Sequence, residues 1–186
     1  AGQEVQLHLH TEWLALAGPR NPLASGLEGV NLYAFTFEEQ CQLIDYARAQ
    51  LMAAGAPAPT AFRAGNYGAN DDTLRALAEL GIAYDTSHCP ALAGEASRLS
   101  LGPDDRDPLL HGGVIEVPVG AIAELGSGGQ RHAQITALSL AEMRAAIRHA
   151  SASARETFTL VSHSFELFNR TKRVANRIVR RRFDGL

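Results

Sequence analysis

Short apolar runs alternate with amphipathic segments along most of the chain, and this alternation predicts strands and helices in turn. Capping residues and apolar stripes predict three helices, at residues 36–55, 70–81 and 139–151. Apolar and β-branched runs predict strands at residues 60–65, 82–87, 113–119 and 157–165. Such an order is typical of an α/β fold with a mostly parallel sheet, open or closed into a barrel. The 186 residues suffice for one domain, so we expect a single domain over residues 1–186.

The first apolar run, EVQLHLHTEW at residues 4–13, carries a polar residue at every second position. In an extended strand, alternate side chains point to opposite faces, so His8, His10 and Glu12 would share one face. Three nitrogen or oxygen donors on one face can form a metal site. They can equally be the solvated side of a half-buried strand, and this segment alone leaves both interpretations open.

Unusual polar residues also stand at the C-terminal ends of the later predicted strands. These residues are Arg63, Asp85, Ser87 and His163. In parallel α/β folds the C-terminal strand ends meet at one edge of the sheet, and that edge carries the functional site. The convergence favours a metal-dependent hydrolase.

Composition and charge exclude several other classes of protein. The chain is 46% hydrophobic and 20% charged, and no apolar run approaches the ~18 residues that span a bilayer. From Arg170 onward there are seven basic residues and one acidic residue, but Val174, Ile178 and Phe183 form an apolar stripe. This stripe favours a helix docked on the body over a nucleic-acid interface. We therefore expect no nucleic-acid partner and no transmembrane segment. The sequence leaves the compartment open between the cytoplasm and the cell envelope of a bacterium.

Five segments, agreeing in order and spacing, resemble the polysaccharide deacetylase family, also called the NodB-homology or carbohydrate esterase family four group. They are the strand end FRAG, the helix ending in LGI, the YDTS strand, the EVP strand and LVSHSF, and GQEVQLHLH resembles the family's first histidine segment. The resemblance implies a distorted (β/α) barrel. It also implies removal of N- or O-acetyl groups from a carbohydrate, with one divalent metal ion that is zinc in most members.

The resemblance also implies roles for individual residues. His8 corresponds to the first metal histidine. The second metal histidine of the family lies four residues on, where this chain has Glu12, so His10 is either an additional metal ligand or the replacement. His163 corresponds to the general acid, and Arg63 to the arginine that orients the catalytic carboxylate. Asp85 and Ser87 correspond to a segment that shapes the site wall, where we expect them to bind substrate. Tyr67, between Gly65 and Gly68, is the third expected substrate-binding residue, and its ring suits a packing role equally well.

One motif of the family has no counterpart in the chain. In the family, the segment that matches GQEVQLH is preceded by a strand ending in two aspartates. One aspartate is the general base and the other is a metal ligand. In the given sequence, only Ala1 precedes this segment. Loss of that strand would leave an unpaired sheet edge. We therefore expect the chain to be a piece of a longer protein and, as given, to have little or no hydrolytic activity.

The predicted reaction is hydrolysis of an acetyl amide or ester by metal-activated water, with His163 as general acid. Two alternatives belong to other classes. LHLHTEW also resembles the opening strand of PHP-type metal-dependent phosphoesterases, which need further His and Asp ligands on later strands. A degenerate deacetylase domain that only binds carbohydrate would account for the absent aspartates. Metal content separates the three: one ion for a deacetylase, two or three for a phosphoesterase, none for a binding module.

Overall fold

The computed structural model describes residues 4–23, 26, 28–124, 126, 128–169, 171 and 173–186. Gly2 of the first family segment, and Arg170 and Lys172 of the basic C-terminal segment, lie outside these ranges. The helices are α1 Leu14–Ala17, α2 Phe37–Ala53, α3 Asp71–Glu79, α4 Leu140–Ala152 and α5 Arg177–Asp184. The strands are β1 Leu7–Leu9, β2 Ala61–Ala64, β3 Tyr84–Asp85, β4 Leu109–His111, β5 Val114–Glu116, β6 Ala121–Ala123, β7 Gln130–His132, β8 Phe168–Asn169 and β9 Val174–Ala175.

A five-stranded sheet, in the order β1-β2-β3-β5-β4, forms the centre of the fold. Strands β1, β2, β3 and β5 are parallel, and β4 joins β5 as an antiparallel edge strand. The predicted α/β class with a mostly parallel sheet is therefore confirmed. Within the part of the chain that the structure describes, β1 and β4 are open edges. The closed, distorted barrel implied by the family resemblance is not seen there.

The register of the sheet places two rows of side chains on opposite faces. Leu7, Phe62, Asp85 and Glu116 are partners across β1, β2, β3 and β5. All four side chains are buried. His8 and Arg63 form the neighbouring row, and because side chains alternate along a strand they lie on the other face.

The three predicted helices are present, and each begins at a capping box. The boxes join Thr36 to Glu39, Asn70 to Thr73 and Ser139 to Glu142. Helices α2 and α3 pack together and cover the buried face of the sheet. The core between these layers contains Leu43, Ile44, Phe62, Leu74 and Leu77. No helix in the described ranges is long and apolar enough to cross a membrane.

Two expectations for the C-terminal third are corrected by the structure. Residues 157–165 do not form a continuous strand, and Thr159 and Val161 make isolated bridges to Val119 and Gln134. The buried residue of α5 is Val179, whereas Ile178 and Phe183 are 67% and 52% exposed. The guanidinium of Arg182 explains this orientation, because it donates hydrogen bonds to the backbone oxygens of Ile135 and Thr136. The helix is docked on the body as expected, but through a different face.

Candidate functional site

The C-terminal ends of β1 and β2 bring together two histidines, a glutamate and an arginine. His8 is the register partner of Arg63, and its Nδ1 lies 2.7 Å from the Arg63 backbone oxygen. The strand ends at Leu9, so Glu12 reaches the cluster from a short 3₁₀ turn and not from the strand itself. His10 Nδ1 lies 2.7 Å from Glu12 Oε1, and the two imidazole rings are edge-on with centroids 4.7 Å apart.

These contacts fix which ring nitrogen of each histidine carries the proton. A backbone carbonyl accepts only, so His8 Nδ1 donates to it. Hydrogen bonds from its own backbone and from His10 outweigh the effect of partial burial and lower the pKa of Glu12, so this carboxylate also accepts. In the neutral form, Nε2 of both imidazoles is therefore free of a proton. Metal-binding histidines typically have their other nitrogen bonded to a carbonyl or carboxylate in this way.

The charge state of His8 suits the same purpose. Partial burial of the ring, followed by the charge of Arg63, lowers the pKa of His8 to about 4. The rest of the side chain is open to solvent. The charges of His10 and His163 act on His8 in the same direction, more weakly than that of Arg63. His8 is therefore neutral at physiological pH, as a metal ligand must be.

Arg63 lies on β2 beside His8, and the turn that follows β2 carries Tyr67. The Arg63 guanidinium is 6.0 Å from the centroid of the Tyr67 ring, and no carboxylate of the described residues is within ion-pair distance of it. Burial raises the pKa of Tyr67 to about 12, so its phenol stays neutral. A Cβ at Gly65 would be 2.7 Å from His10 Nδ1 and 2.9 Å from the Leu9 oxygen, so this turn needs a residue without a side chain.

His163 is held by Glu166, a contact that the sequence suggests only weakly. The His163 backbone N–H donates to Glu166 Oε2 over 2.9 Å, and His163 Nδ1 lies 3.4 Å from Glu166 Oε1. The side chains of Gln134 and Thr136 donate to the same Oε1. Phe165 stacks on the imidazole with centroids 4.9 Å apart. The spacing of three residues between His163 and Glu166 was the signal available in the sequence.

Asp85 and Ser87 lie beneath the site and do not face it. The register explains this, because Asp85 is the partner of the core residue Phe62 and not of Arg63. Both side chains have no exposed surface, and Ser87 donates to Asp85 through its backbone N–H and its hydroxyl. In this structure they support the site wall and are not open to a ligand, contrary to the substrate-binding role expected for them. Tyr67, the third residue expected to bind substrate, is also largely buried, with 8% of its surface exposed.

A cleft of about 540 Å³ runs beside the two histidines, between β1, α1 and α2. Its walls include His8, His10, Leu14, Tyr46 and Trp13. The indole of Trp13 is 67% exposed, which is unusual for so large an apolar side chain. The cleft gives a ligand access to the imidazoles along an apolar wall.

The donor set is only partly that of a metal centre. No group of three or more His, Cys, Asp or Glu side chains in the described ranges is arranged to hold a metal ion. His8 and His10 both use Nδ1 within the protein and so offer two Nε2 donors, and Glu12 Oε1 is engaged with His10. The residues present therefore fit two positions of a zinc site, and metal binding by His8, His10 and Glu12 stays a prediction.

Comparisons with known proteins add one structural relative. No protein-family model matches the chain, and no curated protein matches it in sequence. A crystal structure from Mycobacterium smegmatis, described as a "putative polysaccharide deacetylase", is similar with a TM-score of 0.46 and 17% sequence identity. The match covers 87% of this chain and 59% of that chain. With similarity this low, the residues of this chain must carry any functional conclusion.

Proposed function

We propose that this chain carries the metal-binding and proton-donating residues of a carbohydrate deacetylase of the polysaccharide deacetylase type, a family whose fold is a distorted barrel. The main support is the pair of hydrogen bonds at His8 and His10. Both rings use Nδ1 within the protein, and both leave Nε2 free beside an open cleft. A solvated strand face with no ligand would not need this shared arrangement.

In this proposal, His8 and His10 hold one divalent ion, and imidazole ligands together with oxygen donors suit zinc. Glu12 accepts the Nδ1 proton of His10, which fixes the ring and increases the basicity of its Nε2. When bound, zinc would act as a Lewis acid on the acetyl carbonyl.

The other residues act on the substrate through charge and proton transfer. His163, oriented by Glu166, gives a proton to the leaving amine or alcohol of the sugar. Arg63 has no carboxylate partner in the described ranges, so its charge is available to an ionised group next to His8. Trp13 offers an exposed aromatic face at the cleft, suited to the apolar face of a sugar ring.

Zinc binding and zinc-dependent ligand binding test the proposed site most directly. Isothermal titration with zinc should give one site per chain in the wild-type protein and no measurable site in the His8→Ala, His10→Ala double variant. His149→Ala is the matched control, because His149 is an exposed histidine on α4, and it should bind zinc as the wild type does. Unchanged zinc binding in the double variant would contradict the proposed metal site.

A second titration, with an N-acetylglucosamine oligomer, separates the alternatives. We expect binding that requires zinc and is lost with His8 and His10. Oligomer binding that is equally strong without zinc and in both variants would indicate a carbohydrate-binding module. Two or three metal ions per chain, with hydrolysis of a phosphate ester, would indicate a phosphoesterase.

A further inference from the structure

Two acidic side chains lie buried side by side in the central strands. Asp85 at the end of β3 and Glu116 at the end of β5 are register partners. Neither has any exposed surface, and because the two residues are register partners on adjacent parallel strands, their side chains lie next to each other. No ion pair to either carboxyl is formed within the described ranges. Two adjacent buried carboxylates without a cation would repel each other strongly.

The hydrogen bonds show which of the two groups carries a proton. Asp85 already accepts on both oxygens, from the Ser87 hydroxyl over 2.8 Å and from the Ser87 backbone N–H over 3.0 Å. Glu116 Oε1 accepts from the His88 backbone N–H over 2.9 Å. Glu116 Oε2 is buried and accepts no hydrogen bond from any described donor. A hydrogen bond between two carboxyl groups needs one proton, and Glu116 Oε2 is the oxygen left to hold it.

The surrounding groups agree with this assignment. Burial, followed by the charge of Asp85, raises the pKa of Glu116. Burial also raises the pKa of Asp85, while the hydrogen bonds from Glu116 and Ser87 act in the opposite direction. Arg63 on β2 acts electrostatically on Asp85 from the other face of the sheet. The His88 imidazole is turned away and contacts the Gly102 oxygen, and β4 places the apolar Leu109 opposite Glu116.

We propose that Glu116 is a positioning residue that acts as a protonated donor to Asp85, and that the chain Glu116–Asp85–Ser87 fixes the end of β2. The last contact in the chain is the Ala64 backbone N–H, which donates to the Ser87 hydroxyl over 2.9 Å. Ala64 lies between Arg63 and the turn that carries Gly65 and Tyr67. The proton on Glu116 is thus linked, through three buried hydrogen bonds, to the backbone that bears the site. The assignment concerns the support of the site and stands whatever reaction the site performs.

The Glu116→Gln variant tests the assignment directly. Its amide keeps an oxygen to accept the His88 N–H and replaces the carboxyl O–H with an N–H aimed at Asp85. We expect the unfolding equilibrium constant at pH 5 to match the wild type within about threefold. Since the pKa of Glu116 is raised on folding, its stabilising effect is complete below the ordinary glutamate range and is lost as the pH rises toward the raised value. Urea titrations should therefore show that the unfolding equilibrium constant of the wild type rises relative to that of Glu116→Gln, by up to about tenfold for each pH unit.

Two further measurements make the assignment specific. The ¹³C shift of the Glu116 carboxyl carbon should be that of a protonated acid at pH 7, and the amide shift of Ala64 should be unchanged in Glu116→Gln. Asp85→Asn should be destabilised at least tenfold at pH 7, because the asparagine amide group would face donors. Glu79→Gln, on the exposed side of α3, is the matched control and should keep the wild-type pH profile.

Three results would overturn the proposal. The first is a Glu116→Gln variant that is strongly destabilised at pH 5. The second is a pH profile of Glu116→Gln that parallels the wild type. The third is an ionised Glu116 carboxyl carbon at pH 7. If Asp85→Asn fails to fold, these three measurements still decide.

Discussion

The two faces of the sheet carry polar side chains with opposite roles, although they come from adjacent rows of the strand register. On one face, His8 borders an open cleft, and Arg63 is its register partner on the next strand. On the other face, Asp85 and Glu116 share a row with Leu7 and Phe62 and have no exposed surface. Among the described residues, the open groups keep ring nitrogens and a charge without partners, whereas the buried groups use their hydrogen-bonding capacity on each other and on the backbone. Polar groups at strand ends therefore indicate a site only when their face is known.

The position of each strand in the sheet strengthens this difference. β1 is an edge strand with a single neighbour in the described ranges, whereas β3 and β5 each have a neighbour on both sides. Changes on the open face should therefore alter ligand chemistry and leave the fold intact. Changes on the buried face should alter the free energy of unfolding.

The largest expected effect concerns His163, the proposed general acid. With the family's two-aspartate strand supplied upstream, His163→Ala should lower the rate of acetate release by the zinc-loaded protein by ~10²–10⁴, about 3–5 kcal/mol of activation free energy, because the leaving group loses its proposed proton donor. The free energy of unfolding should change by less than about 1 kcal/mol, since the side chain is partly exposed. Acetate release from an N-acetylglucosamine oligomer, compared with His149→Ala, measures the first effect. A destabilised variant with unchanged activity per folded molecule would make His163 a structural residue.

The next effect belongs to the buried face. Ser87→Ala should lower the free energy of unfolding by about 1–3 kcal/mol, because the Ala64 N–H and one Asp85 oxygen both lose a buried partner. Zinc binding should be affected much less, since His8, the proposed zinc ligand on β1, lies on the other face. Urea unfolding at pH 7 and a zinc titration on the same sample check both statements. Ser153→Ala, an exposed serine at the end of α4, is the control. Unchanged stability in Ser87→Ala would show that the two faces are not distinguished in this way.

The smallest effect concerns Glu12, which supports the imidazole ring of His10. Glu12→Gln should weaken zinc binding about tenfold, near 1.4 kcal/mol, because an amide oxygen still accepts the His10 proton but without a full charge. Stability without zinc should stay within about 0.5 kcal/mol of the wild type. Glu4→Gln, on the exposed residue preceding β1, is the control for loss of one charge. Complete loss of zinc binding in Glu12→Gln would instead make Glu12 a direct ligand.

Local signals in the sequence predicted a large part of the fold. The capping boxes at Thr36, Asn70 and Ser139 located three helices because their hydrogen bonds involve residues only three positions apart. The strand ends at His8 and Arg63 were located for a similar reason, since short apolar runs mark parallel strands. Predictions that depend on contacts between distant segments were less successful. The face of α5 that is buried depends on Arg182 reaching Ile135, 47 positions away.

The candidate site shows the same limit. The cluster of His8, His10 and Glu12 was anticipated from alternation in a strand, although a turn and not the strand brings Glu12 into it. The burial of Asp85 was missed because the sequence gives strand ends without register. Two acidic residues, Asp85 and Glu116, ending apolar strands were the available signal for a buried pair, but only the pairing of β3 with β5 makes them neighbours.

The absence of a side chain at Gly65 has a consequence for natural sequence variation. Every missense mutation of this codon adds at least a Cβ, at a point 2.7 Å from His10 Nδ1 and 2.9 Å from the Leu9 backbone oxygen. The imidazole can swing aside but the backbone oxygen cannot, so no substitution at position 65 is mild. Among related genes, position 65 should therefore stay glycine whatever residue stands at position 10, because a change of the imidazole leaves the Leu9 oxygen in place.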